Sequence, residues 1–224
     1  MSAIGFSADS CVVLMMKAAP RSKRRLASQI GELATEAAEL LMECAREDLE
    51  MWPGPICIAP SIADEAAALE SVEADAIIVQ QGDNLGERIN YLNGELADRG
   101  FERQLFIGID CPTLDAAYLE SAGAALQDCT TVFGPALDGG VVLMGVHGYW
   151  PDLAGLPWSS DLLFDSLYAT CARAGASAEL LEPLRDVDTL EDLLALRTEL
   201  DGDPRPARKA LVRWLANRPE LRPQ

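Results

Sequence analysis

Short apolar runs that alternate with longer amphipathic segments constrain the fold of this chain more than any other feature. The first run, residues 11–16, is rich in β-branched and apolar residues and ends abruptly at Lys17, which is typical of a strand buried on both faces. From Ser22 to Met51, apolar residues recur at three- and four-residue steps with acidic residues between them. That spacing predicts one long amphipathic helix.

The same alternation continues to the end of the chain. Further strands are predicted at residues 56–59, 76–79 (a buried strand), 105–109, 130–133 and 141–146. Helices are predicted at residues 66–69, 85–98, 161–174, 189–200 and 206–217, and between Thr113 and Leu126. Strands joined to helices by short connections indicate a mostly parallel sheet covered on both faces. We therefore predict a single-domain, Rossmann-like α/β three-layer sandwich at residues 11–224, preceded by a flexible tail at residues 1–10.

Composition excludes several classes of protein. The chain has 224 residues, of which 49% are apolar, enough for one substantial core. Its formal charge of −18 opposes binding to nucleic acids or anionic membranes. The six cysteines are scattered, which favours reduced thiols over a disulfide framework. The first residues lack a basic segment and a long apolar run, so we expect no membrane span or export signal and a cytoplasmic protein.

Polar clusters follow four of the predicted strands directly. They lie at residues 17–25, 80–88, 110–113 and 135–140. Open α/β sheets bind their ligands outside the carboxyl ends of the strands, so the four clusters are expected to share one crevice.

The first cluster is basic although the chain as a whole is acidic. It contains Lys17, Arg21, Lys23, Arg24 and Arg25. Cations at a helix N-terminus oppose the helix dipole, and a bound phosphate would reverse that penalty because amides and cations would then both face an anion. A phosphate-binding loop is therefore one interpretation, and a solvated basic turn is the other.

Two carboxylates stand in the later clusters. Asp110 follows the apolar run 105–109, where it could hold a hard cation that bridges to phosphate oxygens, or simply precede a helix. Asp138 stands beside Gly139 and Gly140, whose missing side chains would let a substrate approach the backbone. The same Asp-Gly pair is also frequent in hairpin turns.

Capping boxes account for two further polar segments. Asn84 and Glu87 form one at the start of a helix, with Asn84 as the cap. Asn84 is also a candidate nucleotide-binding residue, and Gln81 and Arg88 beside it could still contact a base or a ribose. Thr189 and the acid at position 192 form a similar box, so Asp186 and Asp188 before it are either helix-entry residues or metal ligands.

Several catalytic classes lack their required residues. His147 is the one histidine of the chain, which excludes a His-rich metal site and leaves one possible imidazole base. The sequence has no G-x-S-x-G, G-x-x-x-x-G-K-[ST] or G-x-G-x-x-G motif. Serine hydrolases of the α/β class, P-loop kinases and Rossmann dehydrogenases are therefore disfavoured.

Six stretches of this chain resemble, in order, those of a family of glycosyltransferase-A-like proteins. The stretches are MMKAAPRSKRRL, GDNLGERI, FIGIDCPTLDAAYLE, FGPALDGGVVLMGV, the Trp158-Ser159-Ser160 segment and RDVDTLEDLLAL. The family is the arsenosugar-biosynthesis or radical-SAM/selenodomain-associated transferase group. The chain resembles phospholactate and molybdopterin guanylyltransferases more distantly.

The resemblance implies a nucleotide-diphosphosugar-transferase fold and a role for each cluster. It implies that Lys17, Lys23 and Arg25 hold phosphates, that Asp110 and Asp188 hold Mg²⁺ or Mn²⁺, and that Gly139, Gly140 and Trp158 face the acceptor, with Asp138 as a second catalytic carboxylate. The family's first loop usually reads K-x-P-x-x-G-x-x-K-T-R-L. Here that loop is about two residues shorter, lacks the glycine and has Arg24 in place of the threonine.

Three functions are compatible with these residues. The first is sugar transfer from a nucleotide-sugar to a small-molecule acceptor, with release of a nucleoside diphosphate. The second is nucleotidyl transfer from a nucleoside triphosphate to a phosphorylated small molecule, with release of pyrophosphate. The third, suggested by the altered first loop, is a catalytically weak binding protein that retains the fold. Base, sugar, acceptor and oligomeric state stay open.

Overall fold

A single twisted sheet organises the computed structural model, which describes residues 9–17 and 23–221 and, at position 24, the backbone alone. Its strands in the described residues are β1 (Ser10–Met16), β2 (Ile56–Pro60), β3 (Ala76–Ile77), β4 (Arg103–Ile107), β5 (Thr131–Pro135), β6 (Val141–His147) and β7 (Ala178–Leu180). Most of the predicted tail, and Arg21 of the first basic cluster, lie outside the described residues.

The strand order is β3-β2-β1-β4-β6-β5-β7. All neighbouring strands pair in parallel except at β6, which is antiparallel to both β4 and β5. The first strand, β1, is buried except at the partly exposed Met15 because both faces of the sheet are covered, as the continuous apolar run at residues 11–16 predicts. The predicted α/β architecture with a mostly parallel sheet is confirmed.

Helices cover both faces of the sheet and make the three layers. They are α1 (Arg24–Ile30), α2 (Leu33–Met51), α3 (Leu85–Ala97), α4 (Ala116–Asp128), α5 (Leu163–Arg173), α6 (Leu190–Glu199) and α7 (Pro206–Ala216), with a 3-10 helix at Ala63–Leu69. The apolar sides of α2 and α4 pack on one face of the sheet, and those of α3 and α5 pack on the other. A further apolar cluster joins α1 and α2 to α6 and α7. None of the helices in the described ranges has the length and apolar character that a membrane crossing needs.

Two predicted elements differ in the structure. The helix predicted from Ser22 to Met51 is broken between α1 and α2 at Gly31, whose φ of 60° lies in the left-handed region that glycine adopts readily. The apolar periodicity continues across the break, which is why the sequence pattern does not reveal it. The strand predicted to be buried at residues 76–79 is a two-residue edge strand whose Ile77 is 60% exposed.

The sequence pattern also missed β7, a three-residue strand at the opposite edge of the sheet. It pairs in parallel with β5 from Thr131 to Phe133, and Leu180 at its end is exposed. A short strand with little buried surface carries almost no period-two signal, so pairing with β5 rather than its own pattern makes it a strand.

A buried arginine, Arg208, connects the C-terminal helix α7 to helix α2 and to the loop after β4. The Arg208 side chain is fully buried, and its guanidinium lies 2.5 Å from Asp48 and 3.0 Å from Glu47, both on α2. It also donates hydrogen bonds to the carbonyl oxygens of Pro112 and Leu114, at 2.9 and 3.0 Å. Arg208 therefore links α7 and α2 to the loop that follows Asp110.

Candidate active site

A cavity of about 830 Å³ opens at the carboxyl ends of the parallel strands. Its floor is apolar and comes from the ends of β1 and β4 and from the first residues of β6. Residues from all four polar clusters line it, including Lys17, Lys23, Arg25, Asn84, Arg88, Asp110, Asp138 and Gly140. The structure therefore brings together clusters that are as much as 123 positions apart in the chain (17 to 140), as a parallel sheet with its ligand crevice at this edge requires.

Lys23 stands between two of the predicted metal ligands. Its ammonium nitrogen lies 2.6 Å from Asp110 Oδ1 and 3.6 Å from Asp188 Oδ1, and it donates a hydrogen bond to the carbonyl oxygen of Val187. The Lys23 side chain is only 2% exposed, whereas those of Asp110 and Asp188 are 43% and 36% exposed. A nearly buried cation thus holds two carboxylates that face the cavity.

The backbone supports this arrangement from two sides. The amide of Val187 donates to the carbonyl oxygen of Asp110 at 2.8 Å, so the segment before α6 is tied to the loop after β4. Lys23 itself precedes α1 with φ 57° and ψ 44°, a left-handed conformation that is costly for a residue with a side chain. Its side-chain bonds to the other two segments hold it there.

Two further cations of the cavity, Arg25 and Arg88, have hydrogen-bond partners in the structure. Arg25 Nη1 lies 3.2 Å from Asp188 Oδ2 and its side chain is 59% exposed, so its positive charge reaches the cavity opening. Arg88 lies one turn into α3 and donates from Nε to the carbonyl oxygen of Gly82 at 3.0 Å. Lys17 lines the same cavity from the end of β1 and is exposed.

Asp186 is a cavity residue that the sequence ranked below Asp188. The pKa of the Asp186 carboxyl is raised to about 6, mainly by burial and also by the negative charges of Asp138, Asp188 and Asp110. All four carboxylates line the cavity. Asp138 is oriented by the amide of Gly140, which donates to its Oδ1 at 2.8 Å.

The start of α3 forms a second wall. Asn84 caps the helix and accepts from the amide of Glu87 at 3.0 Å, as predicted. Glu87 bonds the amide of Asp83 instead of that of Asn84, so the predicted reciprocal box is displaced by one residue. Gln81 does not line the cavity, and its amide nitrogen donates to the hydroxyl of Tyr91 at 3.0 Å.

Gln80 takes the position in the cavity wall that Gln81 lacks. Its amide nitrogen donates to the carbonyl oxygens of Ala59 and Met16, at 2.6 and 3.3 Å, which fixes it across the carboxyl ends of β2 and β1. Adjacent residues of an extended segment point in opposite directions. Sequence reasoning could therefore have considered either glutamine, and only the structure distinguishes them.

The turn between β5 and β6 and the segment 158–161 form the third wall. Gly139 has φ 92° and does not line the cavity; a Cβ there would lie 2.3 Å from the carbonyl oxygen of Asp161. Glycine at position 139 is needed for the close packing of the two segments.

Trp158 in the 158–161 segment lines the cavity. Its indole N–H donates to the carbonyl oxygen of Leu153 at 3.0 Å, so only the face or edge of its ring is available to a ligand. Ser159, with φ 67°, also lines the cavity; the sequence placed it in a stretch that resembles the family but gave it no role of its own.

The single histidine is remote from this cavity. His147 ends β6 and lies opposite Arg103, the first residue of β4. Because β6 is antiparallel to β4, its last residue lies at the amino ends of the parallel strands. The cavity is at the opposite, carboxyl ends of these strands. An imidazole base is therefore not part of this site.

The carboxylates can be tested as ligands of a divalent cation. No three His, Cys, Asp or Glu side chains within residues 9–17 and 23–221 are placed to hold a metal ion together. Asp110 and Asp188 do supply hard oxygen ligands beside one cavity. Mg²⁺ is commonly held by one or two carboxylates together with substrate phosphates and water, and less often by a cage of protein ligands alone. The pair fits a cation that is shared with a bound phosphate.

Comparison with known families identifies the chain. The model of a family described as "Uncharacterized protein conserved in bacteria" (DUF2064) matches residues 41–160, which is more than half of the 224 residues. The chain belongs to the DUF2064 family. The matched region runs from α2 to the 158–160 segment and includes Asp110 and Asp138. A search of curated proteins found no match.

Solved structures share the fold of this DUF2064 chain. One, from Desulfovibrio desulfuricans G20 and assigned as a nucleotide-diphospho-sugar transferase, has a TM-score of 0.83 at 24% identity over 93% of this chain and 96% of that one. A cytidylyltransferase from Leptospira borgpetersenii has a TM-score of 0.58 at 10% identity, with 95% and 96% covered. The synthetase for CMP-2-keto-3-deoxy-manno-octonic acid, complexed with CTP, has a TM-score of 0.55 at 12% identity, with 86% and 98% covered. At these identities the likeness shows the fold, and the resemblance to the arsenosugar group stays a prediction.

Gly86 on α3 provides a test of how the walls of the cavity fit together. A Cβ at Gly86 would lie 2.1 Å from the carbonyl oxygen of Leu153 and 2.7 Å from the indole nitrogen of Trp158. We expect Gly86→Ala to lower the free energy of unfolding by about 1–3 kcal/mol, because the 153–158 segment must move. Gly94→Ala in the same helix has nothing within 4 Å of its Cβ and should raise it by about 0.5–1 kcal/mol. Urea unfolding of both variants measures the difference, and equal stabilities would contradict the close packing.

Proposed function

We propose that this chain is a metal-dependent glycosyltransferase-like enzyme that moves a sugar from a nucleotide-activated donor to a small-molecule acceptor. The observation that carries the proposal is the cluster of Lys23, Asp110 and Asp188 at the mouth of a large cavity, where the carboxyl ends of parallel strands meet. Ligands of open α/β sheets bind at this edge. The fold shared with a protein assigned as a nucleotide-diphospho-sugar transferase supports the same activity.

The charges of the cavity support a phosphate-bearing donor that brings a cation with it. Among the described residues, the charged ones that line the cavity are Lys17, Lys23, Arg25, Arg88, Asp83, Asp110, Asp138, Asp161, Asp186 and Asp188. Carboxylates outnumber cations within this described set, so a diphosphate beside these residues is favoured by additional positive charge. A divalent Mg²⁺ or Mn²⁺ ion bound by Asp110 and Asp188 would supply that charge and neutralise the leaving diphosphate.

The remaining roles in the proposal follow from position. Lys17, Lys23 and Arg25 bind the donor phosphates, and Arg88 with Asn84 faces the nucleoside from the start of α3. The acceptor enters along Gly140 and Trp158. Its hydroxyl oxygen attacks the anomeric carbon, the bond from that carbon to the diphosphate breaks, and the electron pair leaves with the nucleoside diphosphate. Asp138, oriented by Gly140, takes the hydroxyl proton.

Nucleotidyl transfer is the second candidate, and the cytidylyltransferase and the CTP-bound synthetase that share the fold favour it. In that reaction an oxygen of a phosphorylated small molecule attacks the α-phosphorus of a nucleoside triphosphate. Pyrophosphate leaves, and the same cations stabilise it. The two candidates therefore use one site and differ in their donors and products.

Thermal unfolding with a panel of ligands tests the proposal. Nucleotide-sugars, nucleoside diphosphates and nucleoside triphosphates are added with and without Mn²⁺ to the full chain. A ligand at 100 times its dissociation constant stabilises the folded state by about 2.7 kcal/mol, so we expect a clear metal-dependent rise of Tm with one nucleotide-sugar. The product released from that donor is then identified by chromatography.

Each outcome of the panel has a distinct meaning. A nucleoside diphosphate product supports sugar transfer. Preference for a triphosphate with release of pyrophosphate overturns sugar transfer in favour of nucleotidyl transfer. No stabilisation by any nucleotide, with or without metal, overturns both and leaves a protein that retains the fold without the activity.

A further inference from the structure

Lys23 occupies the position between Asp110 and Asp188 where a divalent cation would bind. We propose that Lys23 is an internal competitor of the metal, so that the free protein binds a divalent cation weakly and accepts it only together with an anionic donor that draws the ammonium group away. The inference rests on the proposed function in one respect, namely that the anionic donor is a nucleotide-activated compound. It adds a role for Lys23 that a simple phosphate-binding residue would not have.

The distances make the ammonium group and a metal ion mutually exclusive. Lys23 Nζ lies 2.6 Å from Asp110 Oδ1 and 3.6 Å from Asp188 Oδ1. A divalent cation coordinated by the same oxygens at its usual distance of about 2.0–2.6 Å would be in contact with that nitrogen. Two cations at this separation repel strongly in a cavity that is partly shielded from water.

Burial shows that the Lys23 contact is a built feature of the free protein. The Lys23 side chain is 2% exposed, and its nitrogen is also bonded to the carbonyl oxygen of Val187. Arg25, two positions later, pairs with Asp188 while 59% exposed. Of the two cations, Lys23 is the one that is buried and lies between Asp110 and Asp188.

The backbone conformation of Lys23 indicates that its side chain can move away from the two carboxylates. Its φ of 57° and ψ of 44° are a left-handed conformation at the first residue before α1, which costs energy for a residue other than glycine. Such strained positions persist when surrounding bonds hold them, and they are typical of sites that switch between two arrangements. Moving the ammonium group to a donor phosphate would release these bonds and expose both carboxylates to the metal.

Binding of Mn²⁺ alone, without nucleotide, tests the inference in a way that does not depend on activity. Free Mn²⁺ is measured by electron paramagnetic resonance in titrations of the full chain and of Lys23→Met, which keeps most of the length of the side chain and removes its charge. We expect Lys23→Met to bind Mn²⁺ about tenfold more tightly than the wild type, or more, because the competing charge is gone. Adding Asp110→Asn to this variant should abolish the gain.

Two matched variants separate the position of the charge from its mere removal. Lys23→Arg keeps a cation and should bind Mn²⁺ as weakly as the wild type. Lys17→Met removes a charge from the same cavity, but Lys17 forms no ion pair with a described residue, so the variant should gain much less than Lys23→Met. Circular dichroism establishes that each variant is folded.

Equal Mn²⁺ affinities of the wild type and Lys23→Met would overturn the inference, and so would a weaker affinity of Lys23→Met or no binding by either. These results would leave the transfer reaction of the proposed function untouched. Conversely, a gain of Mn²⁺ binding in Lys23→Met without any nucleotide-dependent product would support the competition and refute the transfer activity. The two failures are therefore distinguishable.

Discussion

Replacing Asp110 with Asn is expected to lower kcat/KM for the donor found in the ligand panel by about 10³-fold. The Asp110 carboxylate is paired to Lys23 at 2.6 Å and is 43% exposed to the cavity, where the proposed metal binds. A catalytic metal contributes several kcal/mol to the stabilisation of a transition state, and about 1.4 kcal/mol corresponds to a factor of ten in rate. The Asn amide has similar size but no charge to hold the cation. Steady-state product formation at saturating and limiting Mn²⁺ measures the effect.

Asp128→Asn is the matched control for this experiment. It removes the same charge from an exposed residue at the end of α4, away from the cavity, and should leave kcat/KM within about twofold, as expected for a surface substitution. If Asp110→Asn retained activity with unchanged dependence on Mn²⁺, Asp110 would not be a metal ligand. Circular dichroism distinguishes loss of the site from loss of the fold.

Replacing Arg208 with Met is expected to lower the free energy of unfolding by about 3–5 kcal/mol. The Arg208 side chain is fully buried and is paired with Asp48, which is 5% exposed, at 2.5 Å. Removing Arg208 leaves the buried Asp48 carboxylate with Arg205 as its remaining paired cation, at 3.1 Å, and the loss of a partner from a buried ion pair is among the most destabilising single changes. The carbonyl oxygen of Pro112 would lose its hydrogen bond from Arg208, whereas that of Leu114 would keep one from Arg205. Urea unfolding followed by circular dichroism measures the loss.

Two further variants show whether burial is the cause. Arg46 also pairs with two acids on α2, Glu43 and Glu50, but it is 28% exposed and its partners are 49% and 42% exposed. Arg46→Met should therefore cost less than about 1 kcal/mol. Adding Asp48→Asn to Arg208→Met should recover part of the stability, since the buried carboxylate that has lost one of its cations is then neutral. A loss for Arg208→Met no larger than that for Arg46→Met would contradict this account.

The interpretation of the first basic cluster shows where sequence reasoning ends. The concentration of cations before α1 predicts an anion site, because those charges disfavour the helix unless something negative offsets them. In the structure part of that negative charge comes from Asp110 and Asp188, which are 87 and 165 positions from Lys23 (110 − 23 and 188 − 23). No local pattern connects residues so far apart, so their pairing could only be found in three dimensions.

The sequence by itself determined the α/β class and the edge of the sheet where the polar clusters collect. Both follow from local chemistry: apolar runs become buried strands, and polar residues after them lie at the carboxyl ends. Tertiary structure alone decided the break between α1 and α2 at Gly31 and the exposure of β3. It also decided that Gln80, and not Gln81, lies in the cavity wall and that Lys23 lies between two carboxylates. The positions of Gln80 and Lys23 depend on contacts between distant segments, whose energies have no signature in the spacing of neighbouring residues.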